Sequence, residues 1–355
     1  MVAMLCLGAL ALPASAQAGL LKAIWGPTEF AAGNAACPTV SQPCSPFPVY
    51  RQLGVDVFQF QIHWDEVAPT RPVHPRDPDD PAYHWGAIDN VVREASEYGI
   101  DLAALIQRAP GWANGGRSPI WAPTSPRTFA DFAYAVSKRY PSIHRWMIWG
   151  EPSRRENFLP MDSKRPTGVR IYAGILDASY AALKQANPGN IVIGGMTLNG
   201  GTVMPPQFLE WLKLKNGRPP RMDLWGDNPF DARFPDLADK PLGRFRGFND
   251  IDTLHAEIKD AYRAGHRKVP KLWLSEWTIV SDRPLQLFSG FFVSRREQAA
   301  RLKAAYQIAS RTSYVVGLGW FTLEDQADDE GGAAWGLMQA DGTPKPAFRA
   351  YEMVP

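Results

Sequence analysis

Two glutamates, each placed directly after an apolar, tryptophan-rich run, are the residues of this sequence best suited to chemistry. Glu151 follows the run WMIWG, and Glu276 follows the run LWLS. A carboxylate is costly to bury beside so much apolar surface, so its presence there indicates that the charge has a use. Taken singly, either glutamate also fits a salt-bridged residue at the end of a strand.

The cleavage of glycosidic bonds is a reaction that needs two carboxyls. One carboxylic acid protonates the leaving oxygen, while a second, ionised carboxylate attacks or stabilises the anomeric carbon. In the retaining form of the reaction the two carboxyl groups lie about 5–5.5 Å apart and a covalent glycosyl-enzyme forms. We expect mutual repulsion and apolar surroundings to raise the pKa of the acid while the other carboxyl stays ionised.

The elements that position these glutamates alternate along the whole chain, short β-type runs with amphipathic segments. Eight such pairs predict an α/β fold, a (β/α)8 TIM barrel, with strands at Leu21–Trp25, Val55–Gln61, Leu102–Gln107, Arg145–Trp149, Ile191–Gly195, Met222–Trp225, Lys271–Ser275 and Val315–Trp320. A doubly wound sheet is the alternative fold, but no glycine-rich phosphate loop follows the first strand. No linker or repeat divides residues 19–355, so we predict a single catalytic domain.

Four connections after the predicted strands are long, and in a barrel the loops after the strands build the active site. They are Gly26–Pro48, Ile62–His84, Arg108–Arg127 and Trp277–Ser294. The predicted fourth and seventh strands bring Glu151 and Glu276 to nearly opposite sides of the same barrel mouth.

The second strand predicts a polar line inside the barrel. Gln59, Gln61 and His63 share one parity, and the apolar residues Phe58, Phe60, Ile62 and Trp64 share the other. Because side chains alternate across a strand, the polar set should face the interior and the apolar set the helices. We predict Gln61 and His63 as substrate contacts; a structural hydrogen-bond network is the alternative, and it fits Gln59 equally well.

Two tryptophans are candidate sugar platforms, because the C–H face of a pyranose packs on an aromatic ring. Trp112 follows the third predicted strand and Trp320 ends the eighth. Packing in the core is an equally good interpretation of each.

The chain also resembles a known family. The stretch IWGEP at 148–152 resembles the acid/base motif of the large clan of (β/α)8 glycoside hydrolases that includes families 5, 39 and 42. The stretch LSEW at 274–277 resembles its nucleophile motif, and similar segments lie at 53–69, 109–113 and 331–351. The general likeness is greatest to family 39 and its unassigned relatives. It implies a retaining mechanism with Glu151 as acid/base and Glu276 as nucleophile, and it makes Asn228 a candidate polar contact to the sugar.

Two positions depart from the pattern of that clan. Gly150 stands where most members have an Asn that hydrogen-bonds the sugar 2-hydroxyl, and Gln59 stands where an Arg is frequent. These changes indicate a sugar whose 2-position is held differently, or a pocket rebuilt by other side chains.

Composition argues against several other classes of function. A formal net charge of +2 without a basic block gives no indication of nucleic acid or of an anionic membrane as partner. The six histidines lack the paired spacing of zinc ligands, and the acidic run at 324–330 lacks the spacing of a calcium loop, so we predict no metal and no cofactor. The sequence contains no Gly-x-Ser-x-Gly elbow, which argues against a serine hydrolase.

The first residues predict export. Residues 2–12 are almost wholly apolar, and small-x-small cleavage candidates follow at 14–18. This pattern is typical of a signal peptide at 1–18, although the usual basic start is missing and a buried first helix is the alternative. No later stretch reaches the roughly 20 apolar residues of a membrane span. Cys37 and Cys44 would form a small disulfide loop in an oxidising compartment, so we predict a secreted or periplasmic protein.

Together these features predict a secreted retaining glycoside hydrolase that acts on an oligosaccharide or a polysaccharide. A transglycosylase would use the same site with another acceptor. A non-catalytic carbohydrate-binding protein on the same barrel is the second alternative.

Overall fold

In a computed structural model, the chain forms a closed barrel of eight parallel strands that follow one another in sequence order. The structure describes residues 19–26, 45–284, 290–326 and 332–355. The strands are β1 (Leu21–Trp25), β2 (Val57–His63), β3 (Asp101–Gln107), β4 (Arg145–Ile148), β5 (Ile191–Leu198), β6 (Leu224–Asn228), β7 (Lys271–Trp277) and β8 (Val315–Trp320). The (β/α)8 prediction is confirmed, and the doubly wound sheet is excluded.

Helices cover the outside of the barrel between the strands. The described helices are α1 (Phe47–Gln52), α2 (Trp64–Val67), α3 (Gly86–Tyr98), α4 (Gly111–Asn114), α5 (Pro126–Arg139), α6 (Thr167–Ala186), α7 (Pro205–Trp211), α8 (Ile251–Ala264), α9 (Arg295–Arg311) and α10 (Pro346–Met353), with a short 3-10 turn at Phe248–Asp250. Among the described residues, none of these helices combines the length and the apolar character needed to cross a membrane.

The core has an inner and an outer layer, and β2 divides its side chains between them as predicted. Phe58, Phe60 and Ile62 pack in the layer between strands and helices. The inner layer fills the barrel with Ala23, Trp25, Val57, Ala103, Leu105, Met147, Ile193, Met196, Leu224 and Trp273. Gln59 faces this inner layer and is fully buried. Its burial is tolerated because the N–H group and the carbonyl oxygen of its amide both have hydrogen-bond partners there.

The connections at the carboxyl ends of the strands differ from the predicted set. Residues 64–85 and 108–125 are long connections as expected, but those after β4 (149–166), β6 (229–247) and β8 (321–345) are also long. Most of the predicted connection after β1, with Cys37 and Cys44, lies outside the described residues, as does the predicted signal peptide at 1–18. The disulfide and the signal peptide therefore stay predictions.

Candidate active site

Glu151 and Glu276 line the same cavity, of about 460 Å³, at the carboxyl ends of the strands. Glu151 comes from the segment after β4, and Glu276 is the penultimate residue of β7. The barrel thus brings together two carboxyls that are far apart in the sequence. The remaining lining combines amide, guanidinium and aromatic side chains.

The backbone that carries Glu151 is strained. Glu151 has a φ of 44° and Trp149 a φ of 59°, both in the left-handed region that side-chain-bearing residues rarely adopt. The surroundings hold Trp149 there: its backbone N–H donates to the Ile106 carbonyl, and its indole Nε1 donates to the Asn157 carbonyl at 2.9 Å. Such strain persists only where neighbours impose it, and it is concentrated at functional sites.

Three side chains donate hydrogen bonds to the Glu151 carboxylate. Arg154 Nη1 lies 2.8 Å and Asn157 Nδ2 3.2 Å from Oε2, and Asn228 Nδ2 lies 3.0 Å from Oε1. Because the guanidinium is charged, its hydrogen bond is the strongest of the three. The segment after β4 therefore supplies both Glu151 and two of its three donors, and the end of β6 supplies the third.

The strand end that carries Glu276 is held by a buried network instead. The carbonyl of Ser275 accepts hydrogen bonds from Gln59 Nε2 and from Trp25 Nε1, each at 2.8 Å. Gln59 Oε1 in turn accepts from Trp273 Nε1 at 2.9 Å. Gln59 is thus a structural residue that fixes the backbone next to Glu276, which was one of its two predicted roles.

Asn228, at the end of β6, connects the two carboxyls. It donates to Glu151, accepts from Ser275 Oγ at 2.6 Å, and hydrogen-bonds Glu276. It was predicted as a sugar contact, but its side chain is buried with only 1% exposed. Its contacts in this structure position the carboxyl pair.

The electrostatics of the two glutamates differ. Burial, followed by the negative charge of Glu151, raises the pKa of Glu276 well above its ordinary value, against opposing effects of Asn228 and Arg154. The expectation was that apolar surroundings would act on the acid of the pair, Glu151. The structure instead raises the pKa of Glu276, the carboxyl that was expected to stay ionised, and Glu276 has no guanidinium partner at hydrogen-bond distance among the described residues.

A third carboxyl lies beside this pair on β6. Asp227 is fully buried, and burial raises its pKa well above the ordinary value, with the charge of Glu151 adding to the effect. Its Oδ1 accepts from Thr197 Oγ1 at 2.5 Å. Burial thus favours the neutral form of Asp227, which brings no negative charge to the site.

The polar line on β2 reaches the cavity at Gln61. Gln61 Oε1 accepts from Gln107 Nε2 and lies 2.8 Å from His63 Nε2. His63 does not line the cavity; its other ring nitrogen lies 3.0 Å from Glu66. The structure therefore places Gln61 in the site and makes His63 a support for it.

Gln107 occupies the space that a side chain at position 150 would need. A Cβ added to Gly150 would lie 3.1 Å from Gln107 Oε1 and 3.1 Å from Leu105. The departure from the clan pattern at Gly150 thus coincides with a cavity wall built by Gln107. Gln107 was not among the site residues predicted from the sequence. Its place at the carboxyl end of β3, where a barrel builds its active site, could have indicated it.

The prediction that Trp320 is a sugar platform is wrong. Its side chain is fully buried in the outer layer, where it packs against Trp277. The alternation used for β2 explains this outcome: Gly317 and Gly319 face the crowded interior, so Trp320 points to the helices. The next residue, Phe321, lines the cavity and packs edge-on against Trp335 at 5.0 Å.

Trp112 is not brought to the cavity either. It donates its indole N–H to the Ala68 carbonyl at 2.9 Å and packs against Trp64. These contacts connect α4 to the segment after β2, so the structure favours the packing interpretation of this residue.

The acidic run after β8 is only partly described. Asp325 forms a buried ion pair with Lys345 at 2.7 Å, so the ammonium group of Lys345 balances the carboxylate. Within the described residues, no three His, Cys, Asp or Glu side chains are grouped as metal ligands.

No family model matches the sequence, and no curated protein is detectably similar to it. Solved structures do match the fold. A family 39 glycoside hydrolase from Bacteroides cellulosilyticus is 18% identical with a TM-score of 0.64, covering 94% of this chain and 63% of its own. A family 39 enzyme from Xanthomonas axonopodis is 17% identical with a TM-score of 0.66, over 95% and 66%.

A monomeric beta-xylosidase from Caulobacter crescentus is 16% identical with a TM-score of 0.65, over 95% of this chain and 68% of its own. The chain thus spans about two thirds of the length of these structures. The likeness to the (β/α)8 glycoside hydrolases, with family 39 members among the neighbours, is confirmed at the level of the fold.

Proposed function

We propose that this chain is a retaining glycoside hydrolase with Glu151 as acid/base and Glu276 as nucleophile. The observation that carries this proposal is the convergence of the two glutamates on one cavity, bridged by Asn228. A carboxyl pair in a shared cavity supplies both functions that glycoside cleavage requires.

The reaction proceeds in two steps. Glu151 donates its proton to the glycosidic oxygen while Glu276 attacks the anomeric carbon, so that the leaving group departs as an alcohol and a glycosyl-enzyme ester forms. Glu151, now ionised, then removes a proton from a water molecule that attacks the same carbon and releases Glu276. Asn228 holds the two carboxyls in position during both steps.

The cavity lining suits a carbohydrate. Gln61 and Gln107 present amide groups, which both donate and accept hydrogen bonds as sugar hydroxyls do. Phe321, Trp335 and Phe230 present aromatic surface on which the C–H face of a sugar ring packs. Phe321 and Trp335 therefore take the platform role in this proposal.

The neighbours support a glycoside as the class of substrate. Two of them are family 39 glycoside hydrolases, and a third is a beta-xylosidase. We propose an oligosaccharide or polysaccharide substrate for this chain, and we propose that residues 1–18 direct it to a secreted or periplasmic location. Fusion of residues 1–25 to a reporter enzyme would test export, with N-terminal sequencing of the processed product to locate the cleavage site.

A panel of aryl glycosides and polysaccharides tests the activity, with proton NMR of the first anomer formed. We expect hydrolysis of at least one glycoside with retention of configuration. Inversion would contradict the role of Glu276. Predominant transfer to sugar acceptors would identify a transglycosylase, and binding without turnover would identify a carbohydrate-binding protein.

A further inference from the structure

Arg154 holds an unusual position for a residue of such a site, because it pairs directly with the proposed acid/base. It lies three residues after Glu151, and its Nη1 is 2.8 Å from Glu151 Oε2. Its side chain lines the cavity and is 28% exposed, so a ligand can reach it. Nη2 has no side-chain or carbonyl partner among the described residues.

This ion pair opposes the first step of the proposed reaction. A guanidinium stabilises the ionised form of Glu151, which has no proton to give to a leaving oxygen. At the same time burial and the charge of Glu151 favour the protonated form of Glu276, because they raise its pKa. The ligand-free cavity thus places a guanidinium on the carboxyl that should donate a proton, while burial opposes the charge of the carboxyl that should attack.

Binding of substrate must therefore separate Arg154 from Glu151. A neutral hydroxyl is a poor competitor, because hydrogen bonds between charged groups are about twice as strong as neutral ones. A second carboxylate competes on equal terms. Arg108 is the other arginine that lines the cavity. It pairs with two carboxylates, Asp65 and Glu66, at 2.7 Å each, so an incoming carboxylate would have to displace both.

We propose that the substrate carries a carboxylate, as uronic acids do, and that this group takes Arg154 away from Glu151. Once Arg154 has left, Glu151 can bind the proton that it gives to the leaving oxygen, and Glu276 can carry the charge that it needs for attack. Arg154 is thus both a specificity determinant and a positioning residue for the proton. This inference rests on the proposed glycosidase function.

Other titratable groups share the surroundings of Glu151. Glu156 lies 3.9 Å from Arg154 Nε on the same segment, Asp227 is buried on β6, and Glu276 faces Glu151 from β7. Transfer of Arg154 to Glu156 without any anionic ligand is the competing explanation, and it predicts no preference for acidic substrates.

Matched probes separate these explanations. The first pair is an aryl uronide and the neutral aryl hexoside of the same configuration; the second is a carboxyphenyl and a carbamoylphenyl glycoside of the sugar that the enzyme turns over. We expect wild-type kcat/KM to be at least ten-fold higher for the carboxylate member of one pair. Equal values within both pairs would overturn the inference while leaving the glycosidase intact, whereas no turnover of any glycoside would overturn both.

The Arg154→Met variant should change the two classes of probe in opposite directions. We expect its kcat/KM to fall at least ten-fold on the preferred acidic probe and to rise several-fold on the neutral one near neutral pH. The alkaline limb of its pH profile on the neutral probe should move to higher pH, because Glu151 keeps its proton longer without the cation. Arg154→Lys should retain part of the acidic preference.

Arg165→Met is the matched control, since Arg165 lies on the same segment with 79% of its side chain exposed. We expect it to resemble the wild type on every probe. An equal loss by Arg154→Met on acidic and neutral probes, with an unchanged pH profile, would show that Arg154 is merely structural and would overturn the inference.

Discussion

The ends of β4 and β7 each present one glutamate to the same cavity, but they do so by different means. After β4, the backbone is in the left-handed region at Trp149 and Glu151, and three side chains donate to the carboxylate. At β7 the strand continues through Trp277, and a buried network fixes Ser275 next to Glu276. At the end of β4 the hydrogen bonds go to the carboxylate of Glu151, whereas at the end of β7 they go to the backbone carbonyl next to Glu276.

This difference gives the two identical side chains different electrostatic surroundings in the ligand-free protein. Glu151 pairs with a guanidinium, whereas Glu276 is bonded only to an amide, and burial raises its pKa. Environment, not residue type, makes two identical carboxyls differ. The predictions below change first the carboxyls and then the elements that distinguish their surroundings.

Replacement of Glu276 should have the largest effect. We expect Glu276→Ala to lower kcat by about 10⁴-fold or more, because no covalent intermediate forms without the nucleophile. Steady-state kinetics on the best glycoside found would measure the loss. Glu210→Ala, on the exposed face of α7, is the control and should retain wild-type kcat. Near wild-type turnover by Glu276→Ala would remove Glu276 from the mechanism.

Replacement of Glu151 should depend on the leaving group. We expect Glu151→Ala to lower kcat/KM by about 10²–10⁴-fold for alcohol leaving groups, because general acid catalysis contributes that much. For strongly acidic phenols, which need no proton, the loss should be much smaller. A series of aryl glycosides of graded phenol acidity would measure this slope. A loss that is the same for every leaving group would contradict the assignment of Glu151 as the acid.

How far the sequence predicts such a site depends on periodicity. Alternation on β2 correctly placed Gln59 and Gln61 inside the barrel, because the pleat fixes side-chain direction. The regular α/β alternation in the same way predicted the barrel and placed Glu151 and Glu276 at its mouth. Strand ends shifted by a few residues, as at β5, which extends to Leu198, because a strand continues as long as its neighbour supplies hydrogen-bond partners.

The residues that the sequence did not reveal lie on irregular segments. Arg154 and Asn157 follow Glu151 on a connection that has no periodic pattern, so only the folded backbone brings them to the carboxylate. Trp320 was misplaced because residue type was considered without its strand parity. Phe321 and Trp335 come together only through the long connection after β8, which no local pattern predicts.

Loss of the buried amide beneath β7 should have a moderate effect. Gln59→Leu removes the hydrogen bond to Ser275 and leaves the Trp273 indole without its acceptor, so we expect a decrease of about 1–3 kcal/mol in the free energy of unfolding. A several-fold decrease in kcat should accompany it, because Glu276 is less well fixed. Urea titration would measure the stability, with Gln307→Leu on the exposed side of α9 as control. Unchanged stability would show that the network does not hold the strand end.

The smallest effect should come from a carboxyl outside the pair. Burial raises the pKa of Glu324 to about 7, so the native state binds a proton that the unfolded state releases near its lower, ordinary pKa. Stability should therefore fall as pH rises from about 5 to 8, and Glu324→Gln should reduce that fall by about 1 kcal/mol after solvent screening. Urea titrations across this range would measure it. An unaltered pH dependence of stability would contradict the shift.

Trapping of the glycosyl-enzyme distinguishes the two glutamates in a single measurement. A fluorinated aryl glycoside that forms the covalent intermediate but does not release it would be incubated with the enzyme, and the labelled peptide would be identified by mass spectrometry. We expect one sugar per chain, attached to Glu276. Attachment to Glu151 would reverse the roles proposed for the ends of β4 and β7, and the absence of any label from an active enzyme would contradict the double displacement itself.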